Sequence, residues 1–291
     1  MFSKDMTLQK IQKVSLENAI YFTEFCKRNN LLCYLCGGGA IGAIRHKGFV
    51  PWDDDLDFFM PRKDYEKLFK LWKANENEQR YFLSKTSKEY NDKNSFMTLR
   101  DKETTFIKTY QSNLDIVHGI QIDIFPLDNA PESKIQRKFQ KMWALVYALF
   151  CSQQIPKNHG KLLEIVSSVL LNIAKGPKRK YYIWRHAEGR MTKYSQSKTQ
   201  YVTELCVGPK YMGNIYPKNE FSEAIWMPFE DTKLPIPIGY DKYLSRVFGD
   251  YMTMPPVNQR KSHHEAVFID PDNSYLKYKG IYYLKEEGET K

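Results

Sequence analysis

Residues Gly37–Asp57 read GGGAIGAIRHKGFVPWDDDLD, a glycine run followed closely by four aspartates, Asp53, Asp54, Asp55 and Asp57. Carboxylates gathered this densely repel one another, so folding them together is unfavourable without a cation between them. A hard divalent ion such as Mg2+, or Mn2+, binds through carboxylate and phosphate oxygens. Glycines beside it let backbone N–H groups approach a phosphate closely. The stretch therefore points to phosphoryl chemistry.

Its flanks set the expected architecture. Leu31–Cys36 is an apolar segment of strand length, and the glycines lead into a short helix, Ala40–Arg45, whose N-terminus suits an anion. Pro51 breaks that segment, and Asp55–Met60 reads as a second strand. Strand alternation would put Asp53, Asp55 and Asp57 on one face and send Leu56 into the core.

Working outward, residues 8–30 and 62–74 carry apolar stripes at helical spacing. Phe96–Arg100 and Thr104–Lys108 look like the arms of a hairpin around Asp101-Lys102-Glu103. Ile120, Ile122 and Ile124 then alternate with Gln121 and Asp123, so Asp123 falls on the face opposite the isoleucines, and Pro126 is expected to end the strand. Lys134–Phe150 and Lys161–Ala174 are long helical patterns flanked by basic residues. Their apolar runs either bury against each other, the ordinary outcome, or rest one face in a membrane interface beside anionic headgroups. Short strands and proline-rich turns follow residue 200. The expected organisation is a catalytic core over 1–132, a helical segment over 133–200, and a C-terminal part of the catalytic domain over 201–291.

The 291-residue chain is 42% hydrophobic and carries a net charge of +10. Nucleic acid, a membrane surface and a phosphorylated substrate all suit that charge, which decides between none of them. No run approaches the roughly 20 apolar residues of a membrane span, and the N-terminus lacks a signal pattern. The expected location is the cytoplasm, at the inner face of the membrane should 133–200 touch lipid. Cys26, Cys33, Cys36, Cys151 and Cys206 are odd in number and irregularly spaced. They read as buried thiols, including the Cys33/Cys36 pair.

Two carboxylates at i and i+2, with glycines upstream and a third carboxylate on a later strand, make a metal clamp for in-line displacement at phosphorus. Asp55 and Asp57 are the expected ligands, and Asp123 a third ligand or a general base. Asp128 reads as a cap for the turn after its strand. His263 and His264, with Asp250 and Arg260, are candidates to return to the site and position a substrate.

Three separated blocks carry a resemblance. GGGAIGAIRHKGFVPWDDDLDFFMPRKDY, then HGIQIDIFPLD, then FGDYMTMPPVNQRKSHH resemble, in order, the signatures of the LicD family of phosphotransferases, which includes the fukutin-related proteins. The resemblance implies an α+β fold: a nucleotidyltransferase-like mixed sheet flanked by helices, with a helical insertion and a C-terminal segment completing the site. It also implies transfer of a phospho-alcohol from a CDP-alcohol to a sugar hydroxyl, with release of CMP. The usual bacterial donor is CDP-choline, and the acceptors are teichoic acid, capsule or lipopolysaccharide sugars, reached as a lipid-linked or polymeric precursor. Relatives use CDP-ribitol, CDP-glycerol or CDP-ethanolamine.

The family's DxD maps onto Asp55 and Asp57, and its second block onto Asp123 and Asp128. On that reading Gly37, Gly38, Gly39 and Asp53 border the phosphates, and Arg45, His46, Lys47, Arg100 and Arg260 are candidates to grip them. Trp52 is placed to stack on cytosine or to box a quaternary ammonium, with core packing as its alternative role. Two other functions remain open: a nucleotidyltransferase acting on RNA or a small molecule with a nucleoside triphosphate, and a non-catalytic scaffold for envelope assembly. No aromatic-basic RNA-binding motif supports the first, and the intact aspartates argue against the second.

Overall fold

The computed structural model describes residues 4–74, 79–155, 161–260 and 265–285. In chain order the elements are α1 (Lys4–Arg28), β1 (Tyr34–Leu35), α2 (Gly37–Arg45), β2 (Asp57–Pro61), α3 (Arg62–Ala74), β3 (Tyr81–Ser84), β4 (Met97–Asp101), β5 (Thr105–Lys108) and β6 (Gln121–Ala130). There follow α4 (Lys134–Ser152), α5 (Lys161–Ile173), α6 (Pro177–Met191), β7 (Tyr201–Thr203), β8 (Tyr216–Pro217), β9 (Ala224–Phe229), β10 (Thr232–Pro237), α7 (Tyr240–Phe248) and β11 (Ala266–Asp270). The fold is α+β, as expected. A mixed sheet runs β1-β2-β6-β4-β3, with β7 on β6 and β8 on β7. Only β2 and β6 run parallel; the other pairs are antiparallel.

Alternation along β2 separates the two faces. Phe58 meets Phe22 of α1, with ring centroids 5.0 Å apart, and Phe25 of α1 meets Trp72 of α3 at 4.8 Å. The next residue, Phe59, turns to the other side, toward Phe125, Phe221 and Tyr243 of α7. Rings buried this fully stabilise the fold by roughly 2 kcal/mol each. Because Asp57 and Phe59 are two apart, Asp57 shares the α7 face, as Asp123 does with Phe125. All five cysteines are buried and free, as expected.

Several elements differ from the sequence reading. The glycines do not precede α2 but form its first turn. The two arms expected to be a hairpin are not partners: β4 pairs with β3 and β6 on its two edges, and β5 pairs with β11. Pro126 does not end its strand either. The N–H of Asp123 donates to Leu56 C=O (3.3 Å), so alternate N–H groups, including the position taken by Pro126, face the opposite edge. On that edge β4 pairing ends at Ile124 and β7 pairing begins at Asp128, so the proline sits in a gap where no donor is needed.

The helical segment contributes α4, α5 and α6. Ala144, Tyr147, Phe150 and Cys151 of α4 bury against Trp184, Ala187 and Met191 of α6, in a cluster that also takes in Leu205, Cys206 and Met212. The apolar run of α4 is therefore buried, but against α6 and not, as expected, against the run of α5. That of α5 is not buried: Ile165, Val166, Val169, Leu170 and Ile173 are exposed.

Candidate active site

The site forms where the parallel strands β2 and β6 begin. Asp57 and Asp123 are register partners there, the first pair of the parallel ladder. The preceding aspartates are not on a strand. The carboxylate oxygens of Asp53, Asp54 and Asp55 lie within 4.8 Å of one another, and consecutive strand residues pointing to opposite faces would forbid that convergence. Loop backbone between Trp52 and Leu56 permits it, and it brings in Asp54, which alternation had sent away from the site. Asp54, Asp55 and Asp123 line a narrow cleft with Lys108 and Gln121.

Electrostatics make this cluster strained as it stands. Burial first, then Asp55, Asp123 and Asp53, push the Asp57 carboxyl well above the usual range, and Lys108 opposes the shift only as the smallest contribution. Asp57 Oδ1 is buried and has no hydrogen-bond partner. Burial works against the charge of Lys108, yet Asp123, 3.9 Å away from its Nζ, holds its pKa above the ordinary lysine value. Gln121 donates a hydrogen bond to Asp123 Oδ1. The donor set is all carboxylate oxygen, which suits a hard divalent cation. The orphaned Oδ1 is the atom such a cation would satisfy, so the residues fit Mg2+ or Mn2+.

The glycine turn is occupied by the chain's own groups. A Cβ built at Gly38 would stand 2.2 Å from Asp53 Oδ2, so the carboxylate rests against the start of α2, where the helix dipole favours negative charge. Gly37, at φ +52°, donates its N–H to Tyr243 Oη (3.1 Å). Gly39 packs toward Leu35 and Leu56. Helix α2 thus anchors Asp53 beside the other carboxylates.

The basic candidates divide. Arg45 lies at the far end of α2 from the glycines and donates to the carbonyls of Tyr251 (2.6 Å) and Thr253 (3.2 Å), and to His46 Nε2 (3.0 Å). Burial and the neighbouring Arg260 lower its pKa, and burial and Arg45 lower that of His46. Arg260 donates to Pro255 C=O and lies over the Trp52 ring, 5.6 Å from its centroid. Arg45, Arg260 and Trp52 are therefore brought together beside the aspartate loop.

Arg100 is withdrawn from it. Fully buried, its guanidinium donates to Asp92 Oδ2 (3.1 Å), Thr98 Oγ1 (2.9 Å) and Val117 C=O (2.7 Å), which makes it a structural cation. Asp128 is not a turn cap but accepts two 2.7 Å bonds from Arg62 in a buried pair. Asp250 caps Thr253 locally. His263 and His264 lie outside the described residues.

Sequence reasoning passed over Lys108, whose signal was a charge at an inward position of a strand buried throughout. It also passed over Glu204, buried and hydrogen-bonded by Asn214 (2.7 Å) and Tyr216.

Fold and site together define an α+β domain with a mixed sheet and carboxylates gathered where its two parallel strands begin. Residues 30–159 match the family described as LicD/FKTN/FKRP, nucleotidyltransferase domain. It is similar to the lipopolysaccharide cholinephosphotransferase LicD of Haemophilus influenzae, with 28% identity over 276 residues that span 90% of this chain and 97% of that protein. No helix among the described residues is long and apolar enough to cross a membrane.

Proposed function

We propose that this protein moves phosphocholine from CDP-choline onto a sugar hydroxyl of a cell-surface glycan precursor, lipopolysaccharide or teichoic acid, and releases CMP. The observation that carries the reading is the pairing of Asp57 with Asp123 at the mouth of the parallel strands, with an orphaned oxygen on Asp57 and Lys108 opposite. The name of the Haemophilus relative supports choline phosphate as the group and a surface glycan as the acceptor.

Asp55, Asp57 and Asp123 would hold Mg2+ or Mn2+, which when bound neutralises phosphate charge and aligns the diphosphate. The remaining work falls to the chain itself. In the transfer the acceptor oxygen forms a bond to the choline-bearing phosphorus, the bond from that phosphorus to the CMP oxygen breaks, and the hydroxyl proton passes to a carboxylate of the cluster, Asp123 being the candidate base. Lys108 balances negative charge beside Asp123. Arg45 and Arg260 offer positive charge along the same edge, and Trp52 a ring face already shown to accept a cation.

The test is a panel of CDP-choline, CDP-ethanolamine, CDP-glycerol and CDP-ribitol, with and without Mg2+, scored for CMP release in the presence of a glycan acceptor. Preference for CDP-choline with a strict metal requirement is expected. Turnover of nucleoside triphosphates instead would establish the nucleotidyltransferase alternative.

A further inference from the structure

Helix α5 faces water the wrong way round. Ile165 is 60% exposed and Ile173 69%, while Ser167 on the same helix is 3% exposed. At 3.6 residues per turn, Ile165, Val169, Ile173, Val166 and Leu170 fall within an arc of about 140°. All five are exposed. Ser167 and Ala174 turn inward instead. A folded protein in water gains by the opposite arrangement, and contiguous apolar exposure of this kind marks a surface that something else covers.

The surroundings say what covers it. Lys161 opens α5, and Lys175, Lys178 and Arg179 follow its last turn, all exposed, with Tyr182 exposed on α6 just beyond. Thirteen residues make a helix of roughly 20 Å, short of the ~30 Å hydrocarbon layer, so α5 suits the plane of an interface and not a crossing. An apolar stripe with lysine and arginine at its margin is the pattern of a helix lying among anionic headgroups. A second copy of this chain, at net charge +10, would present the same positive sign.

We infer that α5 and the basic turn after it lay the protein on a bilayer surface containing anionic phospholipid. The inference is independent of the donor proposed above, since its readout is binding and not turnover.

Full-length protein sedimented with vesicles of phosphatidylcholine alone, or mixed with phosphatidylglycerol, tests it. Binding to the mixed vesicles, weakened by high salt, is expected. The double variant Ile165→Asp/Ile173→Asp should lower partitioning about tenfold or more, and Lys178→Ala/Arg179→Ala should lower it severalfold. Because the substituted side chains are exposed, thermal melts should match the wild type. Failure to bind the anionic vesicles overturns the inference, as does unchanged binding by the double aspartate variant. A concentration-dependent dimer in ultracentrifugation, abolished by Ile165→Asp/Ile173→Asp, would also overturn it and assign the face to a second copy.

Discussion

Asp57 and Asp123 stand opposite each other as the first pair of the parallel β2–β6 ladder, so two carboxylates share one face of the sheet at its mouth. The fold holds them there at a cost: burial first, then repulsion from Asp55, Asp123 and Asp53, pushes the Asp57 carboxyl well above the usual range. Asp57→Asn removes one charge at almost constant volume. It should raise the stability of the metal-free protein while lowering CMP release roughly a hundredfold. Denaturant titration paired with the CMP assay checks this. A variant with lower stability and full turnover would refute the role given to Asp57.

Lys108 is the charge that opposes this repulsion. Lys108→Met preserves much of its buried length and removes the cation, leaving Asp123 without its 3.9 Å partner. Turnover should fall, by about tenfold or more, with the larger effect in kcat, if the ammonium balances charge that develops during transfer. Circular dichroism should show an intact fold. An unchanged kcat would leave Lys108 a structural neighbour only.

Two glycines separate site from scaffold. A Cβ at Gly119 would lie 1.8 Å from the carbonyl oxygen of Asp101, a backbone atom that cannot step aside, whereas the Cβ at Gly38 meets only the end of the Asp53 side chain. Gly119→Ala should therefore cost several kcal/mol, on the order of an overpacked core position. Gly38→Ala should fold normally and lose affinity for the divalent ion. Thermal melts and Mg2+ titration of the two variants distinguish these outcomes.

Asp128 belongs to the scaffold as well. It accepts both of its 2.7 Å bonds from Arg62, deep between α3 and β6. Asp128→Ala strands a buried guanidinium and should cost roughly 3–5 kcal/mol. Asp128 and Asp123 lie in one sequence block, yet their substitution should separate cleanly in a stability assay, with Asp128→Ala unfolding early and Asp123→Asn remaining folded and inactive.

The legible part of this site was its local chemistry. Four aspartates after a glycine run, and Asp123 alternating with isoleucines, announced a carboxylate cluster, and the α+β architecture was what the resemblance of the three sequence blocks implied. What could not be read were relations between distant segments. Alternation assumed that Asp53–Asp57 was all strand, and so excluded Asp54. Nothing local to Arg100 showed that Asp92, Thr98 and Val117 would enclose it. Pro126 looked like a strand end because its missing donor matters only if a neighbouring strand needs it, and that depends on where β4 stops. The exposed face of α5 was ambiguous for the same reason: hydrophobicity fixes that a stripe must be covered, and the tertiary fold decides whether protein covers it.

Glu204 supplies a pH signature independent of the aspartate cluster. Burial pushes its carboxyl up to about 7, against the lowering effect of hydrogen bonds from Tyr216 and Asn214. The folded state therefore holds the proton more tightly than the unfolded chain, whose value is 4.5. Its contribution is fully present below that unfolded value and is lost as pH rises through about 7, for a total of roughly 3 kcal/mol across the window. Glu204→Gln keeps a neutral hydrogen-bonding group and should flatten the decline in unfolding free energy between pH 5 and pH 7.5. Urea titrations of both proteins at half-unit pH steps measure it. Parallel curves for variant and wild type would mean that Glu204 is ionised in the folded protein throughout that range.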